Sequence, residues 1–322
     1  MKLKTLVAVA ALAALPAISQ AGVLAQSILF IDGFKLSQGD GALGGGTQLD
    51  TSTTVLVQRV ANSGDVLANL NGVSSTQGAL VTDTSGFNIN AHQGSPYTAF
   101  SPITAAPPNV VSPGQGFASN HAILSGNSLD FSSGANGWTD ATVGLGSTGE
   151  GSAQGNIGVV ARAILDVQSP IRLQVSFNAR AFQRNQVDAL GGSGLAVAQN
   201  NQIVFQVTLS RIDPNTGVLT QVFTWSPDGN ATSVIGGTEY ADPFSLNQTL
   251  ATAFPGENFT VNHLAGGYFE LESNLLAAGL YQLDISQKVS ADAVFIPEPA
   301  SLALMGLGLG ALCLVRRRKH NA

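Results

Sequence analysis

Residues Ile203–Trp225 read IVFQVTLSRIDPNTGVLTQVFTW, and this stretch decides the fold class. Ile203, Phe205, Val207 and Leu209 recur at every second position. Successive strand side chains point to opposite faces, so this spacing places all four on one side of a strand. Asp213-Pro214-Asn215-Thr216-Gly217 follows. Pro pre-sets φ, Asp and Asn bond their own backbone, and Gly accepts positive φ, so the five residues predict a turn. Val218 to Trp225 then predicts the returning strand of a hairpin.

Outward from the hairpin the same period recurs. Ile171, Leu173, Val175 and Phe177 alternate with Arg172, Gln174, Ser176 and Asn178. Tyr281, Leu283 and Ile285 alternate with Gln282, Asp284 and Ser286, and Val159 to Val167 reads as a further strand. In the first half, strands are expected over Ser27–Phe34, Thr53–Val60 and Val66–Leu70. Gly41 to Gly46 reads as a loop, and residues 84–120 and the glycine-rich 132–157 read as irregular surface chain. Only Leu275–Leu280 and the termini have helical character. Short strands between turns predict an all-β protein whose body is an antiparallel β-sandwich or jelly roll. The expected divisions are 1–21, a signal peptide; 22–157, an irregular β-rich part; 158–294, the sandwich part; and 295–322, a C-terminal segment.

Composition narrows the function classes. Two of the 14 Lys and Arg residues lie at 2 and 4 and four at 316–319; the eight others face 20 acidic residues, a balance of −12. Phosphate contacts require Lys and Arg, so nucleic acid is not the expected partner. Polarity rests instead on Ser, Thr, Asn, Gln and Gly, groups suited to hydrogen-bonding partners such as glycans. The only cysteine, Cys313, lies near the C-terminus, so the body has no disulfide and depends on its core.

Both ends address the chain to a membrane. Lys2 and Lys4 precede the apolar run Leu6–Leu15, and Ser19-Gln20-Ala21 supplies small residues for cleavage after Ala21, with Ala25 as the alternative. At the other end Pro297-Glu298-Pro299 precedes the uncharged run Ala300–Val315 and the basic Arg316-Arg317-Arg318-Lys319. As a helix those 16 apolar residues would span about 24 Å, short of the ~30 Å hydrocarbon core. The expectation is a marginal single transmembrane helix with its basic end in the cytoplasm.

This order of box, apolar run and basic cluster resembles the PEP-CTERM sorting signal of exported bacterial proteins. The resemblance implies recognition of Pro297, Glu298 and Pro299 by exosortase, a membrane protease. It further implies transient residence in the inner membrane through residues 300–315, then release to the cell surface or exterior.

Catalytic chemistry is sparse. Gly144-Leu145-Gly146-Ser147-Thr148-Gly149 fits GxGxxG, but Glu150-Gly151-Ser152 does not open a helix, so a loop is expected rather than a dinucleotide site. His92, His121, His263 and His320 show no metal-ligand spacing. Glu270 and Glu272 share a strand face; a carboxylate pair can serve hydrolysis or bind calcium, and a solvated face is the simpler reading. Asp213, Asn215 and Gly217 resemble the start of a calcium loop but read more simply as the hairpin turn. Trp225, Tyr240 and Phe244 could stack on sugars or pack in the core. The expectation is a non-enzymatic protein without cofactor or metal, with a structural or interaction role in an exopolysaccharide or biofilm matrix. A carbohydrate-binding module is the alternative, and a secreted hydrolase comes after it.

Overall fold

The computed structural model describes residues 22–51, 54–82, 86–94, 116–146, 149–188, 194–230 and 234–297. Among the described residues fifteen strands, numbered in chain order, form two sheets, and every ladder is antiparallel. Sheet A runs in spatial order β12 (Gly237–Ala241), β14 (Asn258–Ser273), β9 (Leu173–Val187), β1 (Val23–Gln38), β7 (Ala135–Leu145), β6 (Gly116–Gly126) and β5 (Phe87–Gly94), with β2 (Thr47–Gln48) paired to β1. Sheet B runs β11 (Leu219–Trp225), β10 (Gly194–Ile212), β15 (Gly279–Pro297), β8 (Gly149–Val167), β3 (Val55–Leu70) and β4 (Val73–Val81), with β13 (Gln248–Thr249) paired to β10.

The alternation seen in sequence sets the two faces. Val175, Phe177 and Ala179 of β9 face Phe205 and Val207 of β10 across one apolar core. Phe177 is its hub, with ring centroids 4.9 Å from Phe205, 5.1 Å from Phe269, 5.5 Å from Trp225 and 5.7 Å from Phe34. A bulge in β1 between Ile31 and Phe34 exchanges its faces: Leu29 and Ile31 point inward before it, Phe34 and Leu36 after it.

Buried amides tie the sheets together. Where β10 slips register between Gln199 and Gln202, Asn201 Nδ2 donates to the carbonyls of Gln26 (3.0 Å) and Arg184 (2.7 Å) in sheet A. Gln287 of β15 donates through Nε2 to the Leu29 carbonyl (2.9 Å) and Thr139 Oγ1 (2.8 Å). A lost partner would leave a desolvated polar group, so these ties also fix how the sheets register.

The hairpin forms as expected. Asp213 Oδ1 accepts the N–H of Asn215 at 2.8 Å, and β10 pairs with β11. Four expectations need correction. Residues 132–134 form a turn as expected, but the rest of 132–157 is not surface loop: it contains β7 and the first half of β8. A Cβ on Gly151 would sit 2.6 Å from Val143 Cγ1, and one on Gly155 2.5 Å from Asn120 Oδ1, so the glycines there let the two sheets approach. Residues 84–120 contain β5 and the first half of β6, and 84–85 and 95–115 lie outside the described residues. The two strands expected at Thr53–Val60 and Val66–Leu70 are one strand, β3, which begins at Val55 and is shifted in register between Val57 and Arg59 and between Ala61 and Gly64; Thr53 lies outside the described residues. Leu275–Leu280 is not helical: Leu276 is buried and bridges Ile171 in both directions, at 2.7 and 3.2 Å.

The sandwich has two poles. At the near pole β1 begins, with Val23 opposite Leu145 and Val187, and β15 ends, with Phe295 opposite Gly149 and Pro297 opposite Gly194. At the far pole lie the 39–46 loop, the β10–β11 turn and the start of β15. Among the described residues no helix is long and apolar enough to cross a membrane. The expected signal peptide, with Ala21, and the expected transmembrane run at 300–315 lie outside the described residues.

Candidate functional site

The outer face of sheet A carries the candidate site. On three adjacent strands the outward residues are Lys35 and Ser37 of β1, Gln174, Ser176 and Asn178 of β9, and Tyr268, Glu270 and Glu272 of β14. Their register is fixed by the pairs Ser37↔Gln174, Ser176↔Glu270 and Asn178↔Tyr268.

Glu270 and Glu272 are not a solvated face, which corrects the sequence expectation: they are 0 % and 1 % exposed. The loop between β1 and β2 folds over them. Gly41 donates its N–H to Glu272 Oε2 at 2.8 Å, and the Gly44 N–H is shared by Glu270 Oε1 (2.8 Å) and Oε2 (3.0 Å). Gly44 has φ +68°, a left-handed conformation that turns its N–H onto the carboxylate. Arg172 Nη1 lies 3.4 Å from Glu272 Oε1, and the Tyr268 hydroxyl donates to Glu270 Oε2. Burial and that hydrogen bond push the Tyr268 phenol up to about 12. Both carboxylates are therefore engaged as acceptors that hold the loop.

Beside this strap lies a cavity of about 210 Å³ with Lys35, Ser37, Gln174, Ser176, Asn178, Tyr268 and Glu270 as its sheet floor and Phe131 as a wall. Phe131 and Tyr268 are 36 % and 39 % exposed, and Lys35 Nζ lies over the Phe131 ring, 5.7 Å from its centre. Asn178 also lines a second depression of about 380 Å³ with Phe30, Asp32, Arg180, Gly266 and Gly267. The two depressions share Asn178 on β9 and are together termed the groove; in the second, the Arg180 guanidinium lies 5.8 Å from the Phe30 ring centre.

The aromatic residues singled out in sequence do not form this groove. Trp225 is 1 % exposed in the core, and its indole N–H donates to Glu239. Phe244 is half-buried, stacked on His263 at 4.2 Å and edge-on to Phe269. Tyr240 is half-buried on the edge strand β12. The strap and the groove went unread because they join residues more than 200 positions apart.

A separate polar pair sits on β6 and β7. His121 Nδ1 and the His121 backbone N–H lie 3.1 and 3.0 Å from Oδ1 of the fully buried Asp140. The imidazole stacks on Trp138 at 6.1 Å. Burial alone would lower the His121 pKa, but the hydrogen bond and charge of Asp140 outweigh it and raise the imidazole above its ordinary value. Among the described residues no hydroxyl hydrogen-bonds to His121. A raised folded pKa stabilises the fold fully below the unfolded value of about 6.5, and that stability is lost as pH rises through the folded value. The melting temperature of the native protein should therefore fall relative to that of His121→Gln as pH rises above about 6.5; a parallel profile in both would refute the pairing. Among the described residues no three His, Cys, Asp or Glu side chains gather as a metal site.

Of the sorting residues, Pro297 ends β15, and Glu298, Pro299 and Arg316 to Lys319 lie outside the described residues. No curated protein matches the chain. Residues 295–319 match the PEP-CTERM protein-sorting motif. The chain thus carries a PEP-CTERM motif, which implies exosortase-dependent sorting to the exterior, with transient membrane anchoring before release to the cell surface.

Proposed function

We propose that the released body is a non-enzymatic interaction protein of the extracellular polysaccharide matrix, and that the groove on sheet A is its glycan contact. One observation carries this reading: two half-exposed aromatic rings, Phe131 and Tyr268, border a floor of amide and hydroxyl side chains held on paired strands. Flat apolar rings with a few fixed hydrogen-bonding groups suit the alternating apolar faces and hydroxyls of a sugar. The carboxylates at the site serve the loop, which favours binding over hydrolysis.

In the same reading Pro297, Glu298 and Pro299 form the box recognised by exosortase, and Arg316, Arg317, Arg318 and Lys319 hold the cytoplasmic side. Signal peptidase cuts after Ala21. Cleavage after Ala25 would remove Val23 and Ala25, both 0 % exposed, from the core. Cleavage after Ala21 leaves Gly22, whose nitrogen lies 3.2 Å from Asp188 Oδ2, so the new ammonium gains a carboxylate partner.

The test is affinity electrophoresis in gels containing exopolysaccharide from the producing cells. Phe131→Ala and Asn178→Ala should each weaken retardation about tenfold, the effect of roughly 1.4 kcal/mol, while Val218→Ala at the far pole should not. Undiminished retardation of the double variant would refute the groove as the contact.

A further inference from the structure

We propose that the anchored protein stands end-on, with its near pole against the bilayer surface and the sheet A groove held toward the exterior. The inference rests on the anchoring implied by the sorting motif, and it follows from where the folded body stops. β15 is a central strand, paired with β10 on one side and β8 on the other as far as Phe295. Phe295 is only 5 % exposed within the core, and Pro297 still pairs with Gly194. The box is therefore the direct continuation of a core strand, and no flexible linker precedes it. The uncharged run starts at Ala300, three residues beyond Pro297. Three residues reach at most about 10 Å, so an inserted run holds the near pole within that distance of the hydrocarbon. The run is itself shorter than the hydrocarbon core, so a bilayer that it spans draws the pole closer still.

The surface at that pole fits such a position. Leu195 and Ile296 are a direct cross-strand pair, 50 % and 52 % exposed, on the last rungs of β10 and β15. Val73, after the neighbouring β3–β4 turn, is 59 % exposed. Asp188 and Glu257 lie at the same end, joined to the start of β1 and the end of β9 through Gly22 and Val187. These acids oppose attraction to anionic lipid, so the tether and the apolar pair hold the contact, and removal of the tail ends it. The far pole, at the other end of the 19-residue β15, stands about 60 Å away at roughly 3.3 Å per strand residue. The 39–46 strap and the cavity beside it lie in that distal half, so the groove is presented outward before release.

The experiment uses the full chain carrying Glu298→Ala to retain the tail and Cys313→Ser to remove its native thiol. A single cysteine is placed at Leu195→Cys or Val218→Cys and labelled with an environment-sensitive fluorophore. The protein is reconstituted in phosphatidylethanolamine–phosphatidylglycerol vesicles containing headgroup spin-labelled lipid. The label at 195 is expected to lose about half or more of its intensity, and the label at 218 to keep its own. Equal quenching at both positions would mean a body lying along the surface, and no quenching at either in vesicle-bound protein would mean a body held off it. Either result overturns the end-on placement. Protein that fails to sediment with the vesicles would overturn the anchoring itself.

Discussion

Replacing Phe177 with alanine is expected to destabilise the sandwich by about 3–5 kcal/mol, the range for removing a buried aromatic ring. Phe177 contacts four other rings, drawn from β1, β10, β11 and β14, so its removal opens a cavity where both sheets meet. The site cannot readily collapse, because the buried ties from Asn201 and Gln287 fix the separation of the sheets. Ordinary domains hold only about 5–15 kcal/mol in total, and this body has no disulfide to compensate. Urea titration should show a lower midpoint with an unchanged slope. Phe177→Leu should retain most of the stability, since a smaller apolar side chain still fills part of the space. A loss below about 1 kcal/mol in Phe177→Ala would mean that the ring cluster is not the centre of the core.

Glu298→Ala is expected to block release. Glu298 is the only charged residue between Asp292 and Arg316, so it is the one ionic group that a membrane protease could engage beside the N-terminal end of the apolar run. β15 fixes the chain up to Pro297, the residue that precedes Glu298. Fractionation of the native host should find the variant full length in the membrane, with released protein reduced at least about tenfold. The folded body should be unaffected, because no described strand extends beyond Pro297. Normal release of the variant would remove Glu298 from the recognition box.

Strands rich in alternating Val, Ile, Leu and Phe were legible because their period survives in the local sequence. Ile203–Trp225 and Leu173–Asn178 fall in β10, β11 and β9 as their patterns require. Residues 135–157 were not legible, because several glycines there answer to the distance between sheets rather than to a turn. Gly151 and Gly155 make room for Val143 and Asn120, contacts set by the opposing sheet. The bulges in β3 disguised one strand as two by breaking the period. At the site, the alternation Phe269-Glu270-Leu271-Glu272 correctly placed both carboxylates on one face. Their burial depends on Gly41 and Gly44, more than 220 residues away, and no local pattern encodes such a contact. The loop did hold a trace of it: a glycine run presents free backbone N–H groups that suit an anion.

The most direct measurement is the intact mass of the protein recovered from the surface of its native host. A polypeptide beginning at Gly22 and ending within or just beyond Pro297–Pro299 is predicted, with β1 and β15 whole and the apolar run and Arg316 to Lys319 gone. A recovered mass that retains Arg316 to Ala322 would contradict release through the sorting motif and make the tail a permanent anchor.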